Sequence, residues 1–194
     1  MIIWVGSVRM SAQANNRAVF LDRDGTITID GTNYVGKVEH VVLIPCATQA
    51  LKRLQHAGYK LLIITNQSGV GRGYFTRETV DSIHAHLTEQ FARAGVRFDR
   101  FYVCPHHPED NCDCRKPKPK FLLDAARDYG LDLSRSFMIG DRASDIQAGV
   151  NAGVRSILVL TGAGRETLAR QEARPDHVAN DIADAAAWIL GHDQ

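Results

Sequence analysis

The chain has 194 residues, 44% hydrophobic and 23% charged, with a formal net charge of +1 at pH 7. That length can bury a full core within one domain, and the near-neutral balance argues against a nucleic-acid footprint. No apolar run nears the roughly 20 residues needed to cross a bilayer. Residues 1–6 (MIIWVG) lack the basic leader and long apolar region of a signal peptide, so a reducing cytoplasm is expected. Met10 is an alternative start. Residues 1–16 are expected to form an extended or disordered tail, and 17–194 a single domain.

In chain order, 19–22 reads as a short buried strand. Pro45 opens a helix to residue 57, with Gly58 as its C-cap. The run 59–65 (YKLLIIT) is a second buried strand that enters the glycine-rich segment 66–73. Thr76 is expected as an N-cap, before a helical stripe of Val80, Ile83, Leu87, Phe91 and Ala94 that stops at Gly95. A third strand covers 98–103. Phe121, Leu122, Ala125, Ala126 and Tyr129 mark a helix ending at Gly130. Strand 136–140 leads into Asp141, helix 145–152 closes at Gly153, and strand 154–160 follows. Helices at 165–172 and 182–190 complete the pattern. This alternation predicts an α/β fold, a three-layer Rossmann-like parallel sheet with helices on both faces. No stretch is long enough for a large cap domain.

Every unusual polar cluster follows a strand, where such sheets place their ligand crevice. Residues i and i+2 of an extended segment share a face, so Asp22 and Asp24 of Asp22-Arg23-Asp24-Gly25-Thr26 converge. One carboxylate can attack phosphorus, and the other can serve as acid and then base; the plainer reading is an Asp-Gly turn. Asp141 and Asp145 add oxygens of the kind Mg²⁺ prefers, although Asp145 also suits a helix N-terminus. The Thr65 hydroxyl and the N–H groups of the following loop can hold phosphoryl oxygens. Arg72 has equal claims to substrate and solvent.

Arg115-Lys116-Pro117-Lys118-Pro119-Lys120 is a basic run stiffened by its prolines. Lys116 is the candidate for stabilising phosphoryl transfer, and Arg115, with its planar fork, for a second phosphate or hydroxyl group. Just before it, Cys104, His106, Cys112 and Cys114 have the chemistry of a closed structural zinc site, with His107 an alternative to His106. The remaining histidines, including His84 and His86, carry no expected role, and Cys46 is expected to be a small buried side chain.

Together these motifs resemble the haloacid dehalogenase phosphatase superfamily: DRDGT at 22–26, TNQSG at 65–69, Lys116 and GDRxxD at 140–145. The resemblance implies Asp22 as nucleophile, Asp24 as acid/base, and Thr65 and Lys116 as phosphoryl stabilisers. It implies Mg²⁺ on Asp22, the Asp24 main-chain carbonyl and Asp141, with Asp145 in support. The CPHH…CDCRKP segment is similar to both the heptose 1,7-bisphosphate phosphatases and the histidinol-phosphate phosphatases. TNQSGVGRGYFT is nearer the former, and the five-residue gap before Cys112 nearer the latter. The first resemblance implies a sugar-phosphate substrate on the lipopolysaccharide route, contacted by Asp30, Asn33, Tyr34, Asn66, Gln67, Ser68, Arg115 and Arg142, in a compact monomer that binds neither nucleic acid nor membrane. The alternative is histidinol phosphate.

Overall fold

The structure is a computed structural model that describes residues 16–31 and 34–192. The expected tail lies outside this range except for Asn16, and so do Met10 and Asn33. Alternation of strand and helix gives β1 (Ala18–Leu21), α1 (Ala47–His56), β2 (Lys60–Asn66), α2 (Ser68–Gly71), α3 (Arg77–Arg93), β3 (Arg100–Cys104), α4 (Lys120–Tyr129), β4 (Phe137–Gly140), α5 (Ala143–Ala152), β5 (Arg155–Val159), α6 (Gly164–Ala169), β6 (His177–Ala179) and α7 (Ile182–Gly191). Two of these elements go beyond expectation. The glycine-rich segment folds into the short α2, and the three-residue edge strand β6 lies between the two last expected helices, where no element was assigned.

All strand pairs are parallel, in the order β3-β2-β1-β4-β5-β6. Because successive side chains of a strand point to opposite faces, β1 divides its residues between two cores. Val19 and Leu21 join Leu61, Ile63, Phe137 and Ile139 under α1, α3 and α7. Ala18 and Phe20 join Leu62, Ile64 and Met138 under α4 and α5. Strands covered on both faces read as continuous apolar runs, which is why β1, β2 and β4 stand out in the sequence. Each fully buried Leu or Ile contributes about 1.5–3 kcal/mol.

The helix ends follow local chemistry. Thr76 accepts from the Thr79 N–H at the start of α3, as expected of an N-cap, and Gly130 closes α4 with φ +62°. Among the described residues no helix is long and apolar enough to cross a membrane, and no cap domain interrupts the connections between strands.

The chain leaves β1 toward β2 and β3, then crosses back to β4 on the other side of β1. The switch point therefore lies between β1 and β4, where a crevice opens at the carboxyl ends. The Asp22 N–H donates to Ile139 O at 2.9 Å across that junction.

Candidate active site

Asp22 leaves β1 directly into this crevice, and Lys116 arrives from the loop before α4. The Lys116 Nζ donates to Asp22 Oδ1 at 2.6 Å and to Ile64 O at 2.6 Å, and pairs with Asp145 Oδ1 at 2.7 Å. Lys116 is almost wholly buried. Burial alone would depress its ammonium, but Asp145 and Asp22 reverse this and hold its pKa above the ordinary lysine value. Burial pushes the Asp22 carboxyl well up, against the pull of Lys116, and repulsion from Asp145, Asp141 and Asp24 adds to the rise.

Asp141 ends β4 and is fully buried. Burial and the nearby Asp145 raise its pKa too. Its Oδ2 accepts from the Ala163 N–H at 2.7 Å, while its Oδ1 has no partner among the described residues. Asp22, Asp141 and Asp145 each offer an oxygen within 4.8 Å of the others. An orphaned carboxylate oxygen inside a buried acidic triad fits a hard divalent cation. Asp145 also accepts from the Arg142 N–H at 3.0 Å, which fixes it at the first turn of α5.

Asp24 points into the same cleft but is held differently. Its carboxylate accepts from Arg23 Nε (2.9 Å) and Nη2 (2.7 Å), Thr28 Oγ1 (3.1 Å) and Gln67 Nε2 (3.0 Å). Burial raises its pKa, but Arg23 and these hydrogen bonds outweigh that and leave it below the ordinary value. Gln67 Nε2 also donates to Thr65 Oγ1 at 2.8 Å, so Thr65, Gln67 and Asp24 form one chain.

The cleft, about 370 Å³, is lined by Asp22, Asp24, Thr65, Gln67, Lys116 and Asp145 and by Asp30, Tyr34, Asn66, Ser68, Arg115 and Arg142, along with Gly31, Val35 and Ser144, which the sequence did not mark. Arg142 pairs with Asp30 at 2.8 Å. The Tyr34 hydroxyl lies 3.4 Å from Ser68 Oγ. Asn66, expected to touch substrate, uses both ends of its amide on Lys116: Oδ1 accepts from the main-chain N–H at 3.1 Å and Nδ2 donates to the carbonyl at 3.2 Å. One buried Arg115 nitrogen, Nη1, has no partner among the described residues. Arg72 is exposed and outside the cleft lining.

The cysteine segment closes on itself beside the cleft. Cys104 Sγ lies 3.5 Å from Cys112 Sγ and 3.6 Å from His106 Nδ1; Cys114 Sγ lies 3.7 Å from Cys112 Sγ and 3.3 Å from His106 Nδ1. Tetrahedral zinc sets sulfur pairs about 3.8 Å apart and sulfur–nitrogen pairs about 3.5 Å apart, from its usual bond lengths. These four separations are close to those of a zinc tetrahedron, and all four ligand atoms lie within 4.8 Å of one another. His107 is engaged elsewhere, its Nδ1 accepting from the Glu109 N–H at 3.2 Å. Main-chain bonds from Gln67 N to Cys104 O and from Gly71 N to Pro105 O, both 2.8 Å, join this loop to the segment after β2.

Comparison with known proteins agrees with this geometry. A family model described as HAD-hydrolase-like matches residues 113–185. Over 147 residues the chain is 47% identical to the D-glycero-beta-D-manno-heptose-1,7-bisphosphate 7-phosphatase of Helicobacter pylori (strain J99), covering 75% of this chain and 84% of that protein. The chain belongs to the heptose bisphosphate phosphatase family of the haloacid dehalogenase superfamily. A relative of the same name from Pseudomonas aeruginosa is 37% identical over 172 residues, covering 89% of this chain and 97% of the relative. The crystal structure of D,D-heptose 1,7-bisphosphate phosphatase from B. bronchiseptica, complexed with magnesium and phosphate, superposes with a TM-score of 0.86 at 37% identity, covering 90% of this chain and 98% of that one. Membership makes this chain a phosphoric monoester hydrolase.

For this haloacid dehalogenase hydrolase, several site-building residues escaped the sequence reading. Thr161, Ala163 and Thr167, after β5, brace Gly25 and Asp141: Thr161 Oγ1 donates to Gly25 O at 2.5 Å, and the Ala163 N–H and Thr167 Oγ1 donate to Asp141, the latter to its main-chain O at 3.0 Å. A polar cluster following an apolar strand was the available signal. Gly25 has φ +84°, and a Cβ there would sit 2.3 Å from Asp141 Oδ2, so only glycine lets the two strand tips approach. Cys46 is half-buried at the N-cap of α1 rather than fully enclosed.

His84, given no role from the sequence, is buried against Arg23. Burial and the Arg23 guanidinium pull its pKa from 6.5 down to about 3. It therefore folds neutral, and stability present above pH 6.5 drains away as pH falls toward 3. At about two pH units below the ordinary value this amounts to about 2–3 kcal/mol. Melting curves should show that His84→Gln loses less stability than the parent between pH 7 and 4.5. Parallel losses would mean that His84 does not fold neutral.

Proposed function

We propose that the protein is a Mg²⁺-dependent phosphatase that removes the C7 phosphate of D-glycero-β-D-manno-heptose 1,7-bisphosphate through an aspartyl-phosphate on Asp22. The contact of Asp22 with Lys116, beside Asp141 and Asp145 at the β1/β4 switch point, carries the reading. The β anomer follows the names of the relatives described above.

Asp22 Oδ attacks phosphorus in line, forming the Asp–O–P bond as the P–O bond to C7 breaks. Lys116, the Thr65 hydroxyl and the N–H groups at the start of α2 hold the equatorial oxygens. Asp24 gives its proton to the departing C7 oxygen, then takes one from the water that attacks phosphorus and frees Asp22. The four donors on Asp24 favour its ionised form before substrate arrives. An incoming phosphate dianion repels that charge and favours the acid.

Asp22, the Asp24 carbonyl and Asp141, supported by Asp145, would hold Mg²⁺, which when bound neutralises carboxylate–phosphate repulsion. Zinc on Cys104, His106, Cys112 and Cys114 would fix the loop that presents Arg115 and Lys116. Arg115, with its unpartnered buried nitrogen, and Arg142 receive the C1 phosphate and the sugar, with Asp30, Asn33, Tyr34 and Ser68 completing the contacts. Residues 17–194 act as one domain, in the cytoplasm, on the route to ADP-heptose for lipopolysaccharide.

The names of the relatives described above favour this substrate over histidinol phosphate. Side-by-side kcat/KM values on the two compounds test the choice. At least about 100-fold preference for heptose bisphosphate is expected, the scale of losing one charged contact. A preference for histidinol phosphate would overturn it.

A further inference from the structure

Arg23 lies between the two site aspartates in sequence, yet its side chain is among the most deeply buried in the protein. A buried guanidinium must satisfy all its donors or bear a desolvation penalty. Two edges of the Arg23 fork go to Asp24. The third, Nη1, lies 3.2 Å from Nε2 of His84, on the inner face of α3. Arginine only donates, so His84 Nε2 must be the bare, accepting nitrogen and the ring proton must sit on Nδ1. The ring is held by stacking on Phe101, with centroids 4.5 Å apart and planes 26° apart. Its low pKa keeps that lone pair available at neutral pH.

We infer that His84 is a positioning residue for phosphoryl transfer, its Nε2 lone pair anchoring the Arg23 fork so that the fork sets the orientation of the Asp24 carboxyl toward the leaving oxygen. The inference rests on the proposed acid/base role of Asp24. Without an acceptor at residue 84, Nη1 would be buried and unpaired, and the planar fork would turn to find a partner. The Asp24 carboxylate would turn with it, because two of its four hydrogen bonds come from that fork. Thr28 and Gln67 would then hold it in a different rotation. No contact with substrate is needed for this effect, which acts through one side chain over two hydrogen-bonded steps.

A misplaced general acid hurts a poor leaving group more than a good one, which separates positioning from general damage. The ratio kcat/KM reports steps up to departure of the alcohol, so hydrolysis of the aspartyl-phosphate does not enter it. His84→Phe keeps the stacked ring and removes the acceptor. His84→Gln places an amide oxygen near the Nε2 position, and His84→Asn falls about one bond short. With His84→Phe, kcat/KM on a sugar phosphate should fall about 30-fold, a part of the roughly 10²–10⁴-fold that a well-placed general acid contributes, and on p-nitrophenyl phosphate less than about threefold.

His84→Gln should restore the sugar phosphate rate to within about threefold of the parent, and His84→Asn should not. If His84→Phe does not fold, the Gln and Asn pair gives the same comparison. Asp24→Asn serves as the reference. If it discriminates between the substrates while the His84 variants lose both equally, or Gln rescues no better than Asn, the inference fails. If Asp24→Asn itself does not discriminate, the acid role of Asp24 fails instead.

Discussion

Asp22→Asn is expected to lower turnover by at least about 10⁴-fold, because the amide keeps the shape of the side chain and loses the attacking electron pair. The fold should survive. The ionised Asp22 is disfavoured by burial and by Asp145, Asp141 and Asp24, and Lys116 only partly offsets this. Removing that charge relieves the strain while Lys116 keeps Asp145 at 2.7 Å and Ile64 O at 2.6 Å. Melting temperature should therefore hold or rise while activity disappears, the trade expected where a site stores electrostatic strain. An inactive variant that also melted much lower would point to structural damage rather than loss of the nucleophile.

Cys112→Ser is expected to have the second largest effect, on stability and metal content. Cys112 touches Cys104 and Cys114 at 3.5 and 3.7 Å, and serine oxygen cannot replace thiolate in a closed zinc tetrahedron. The segment between β3 and α4 has little apolar core of its own. Within the loop, Lys118 Nζ adds a tie, donating to Cys112 O at 2.8 Å and Asn111 O at 3.2 Å. Losing the metal should cost about 3 kcal/mol or more, a fall of about 6–12 °C in melting temperature for a domain of this size. Bound zinc should drop from one per chain to a small fraction. Activity should fall as well, since Arg115 and Lys116 follow Cys114 directly. Asn66, which clamps the Lys116 main chain, limits that loss. Unchanged zinc content and melting temperature would remove the metal from the description of this loop.

Much of the fold was legible because β1, β2 and β4 are buried on both faces and appear as unbroken apolar runs. The Cys104, His106, Cys112 and Cys114 cluster was legible because its members lie within 11 residues, so local chain geometry brings them together. Asp22, Asp141 and Asp145 could be grouped because Asp22 and Asp141 directly follow strands of a parallel sheet and Asp145 sits in the first turn of the next helix. Other features depend on contacts no local pattern encodes. His84 meets Arg23 across 61 positions. Its place on α3 looks like an ordinary inward position until the partner is known.

Thr161 reaches Gly25 across 136 positions, and β6 is three residues long with no hydrophobic period to detect. Reading residue type without its neighbours also left a second task of one cleft residue unseen. Asn66 suits a substrate contact by chemistry, yet its amide is committed to the Lys116 backbone. A polar side chain in a cleft can hold the machinery rather than the substrate.

Trapping the covalent intermediate tests the chemistry of this site most directly. Asp24→Asn protein, mixed with Mg²⁺ and p-nitrophenyl phosphate, quenched in acid and mapped by mass spectrometry, combines a leaving group that needs no acid with a site lacking the base for hydrolysis. The expected result is one phosphoryl group on the peptide bearing Asp22, formed with a burst of p-nitrophenol. A burst with no phosphorylated Asp22, or a phosphoryl group carried elsewhere, would contradict covalent attack from the tip of β1.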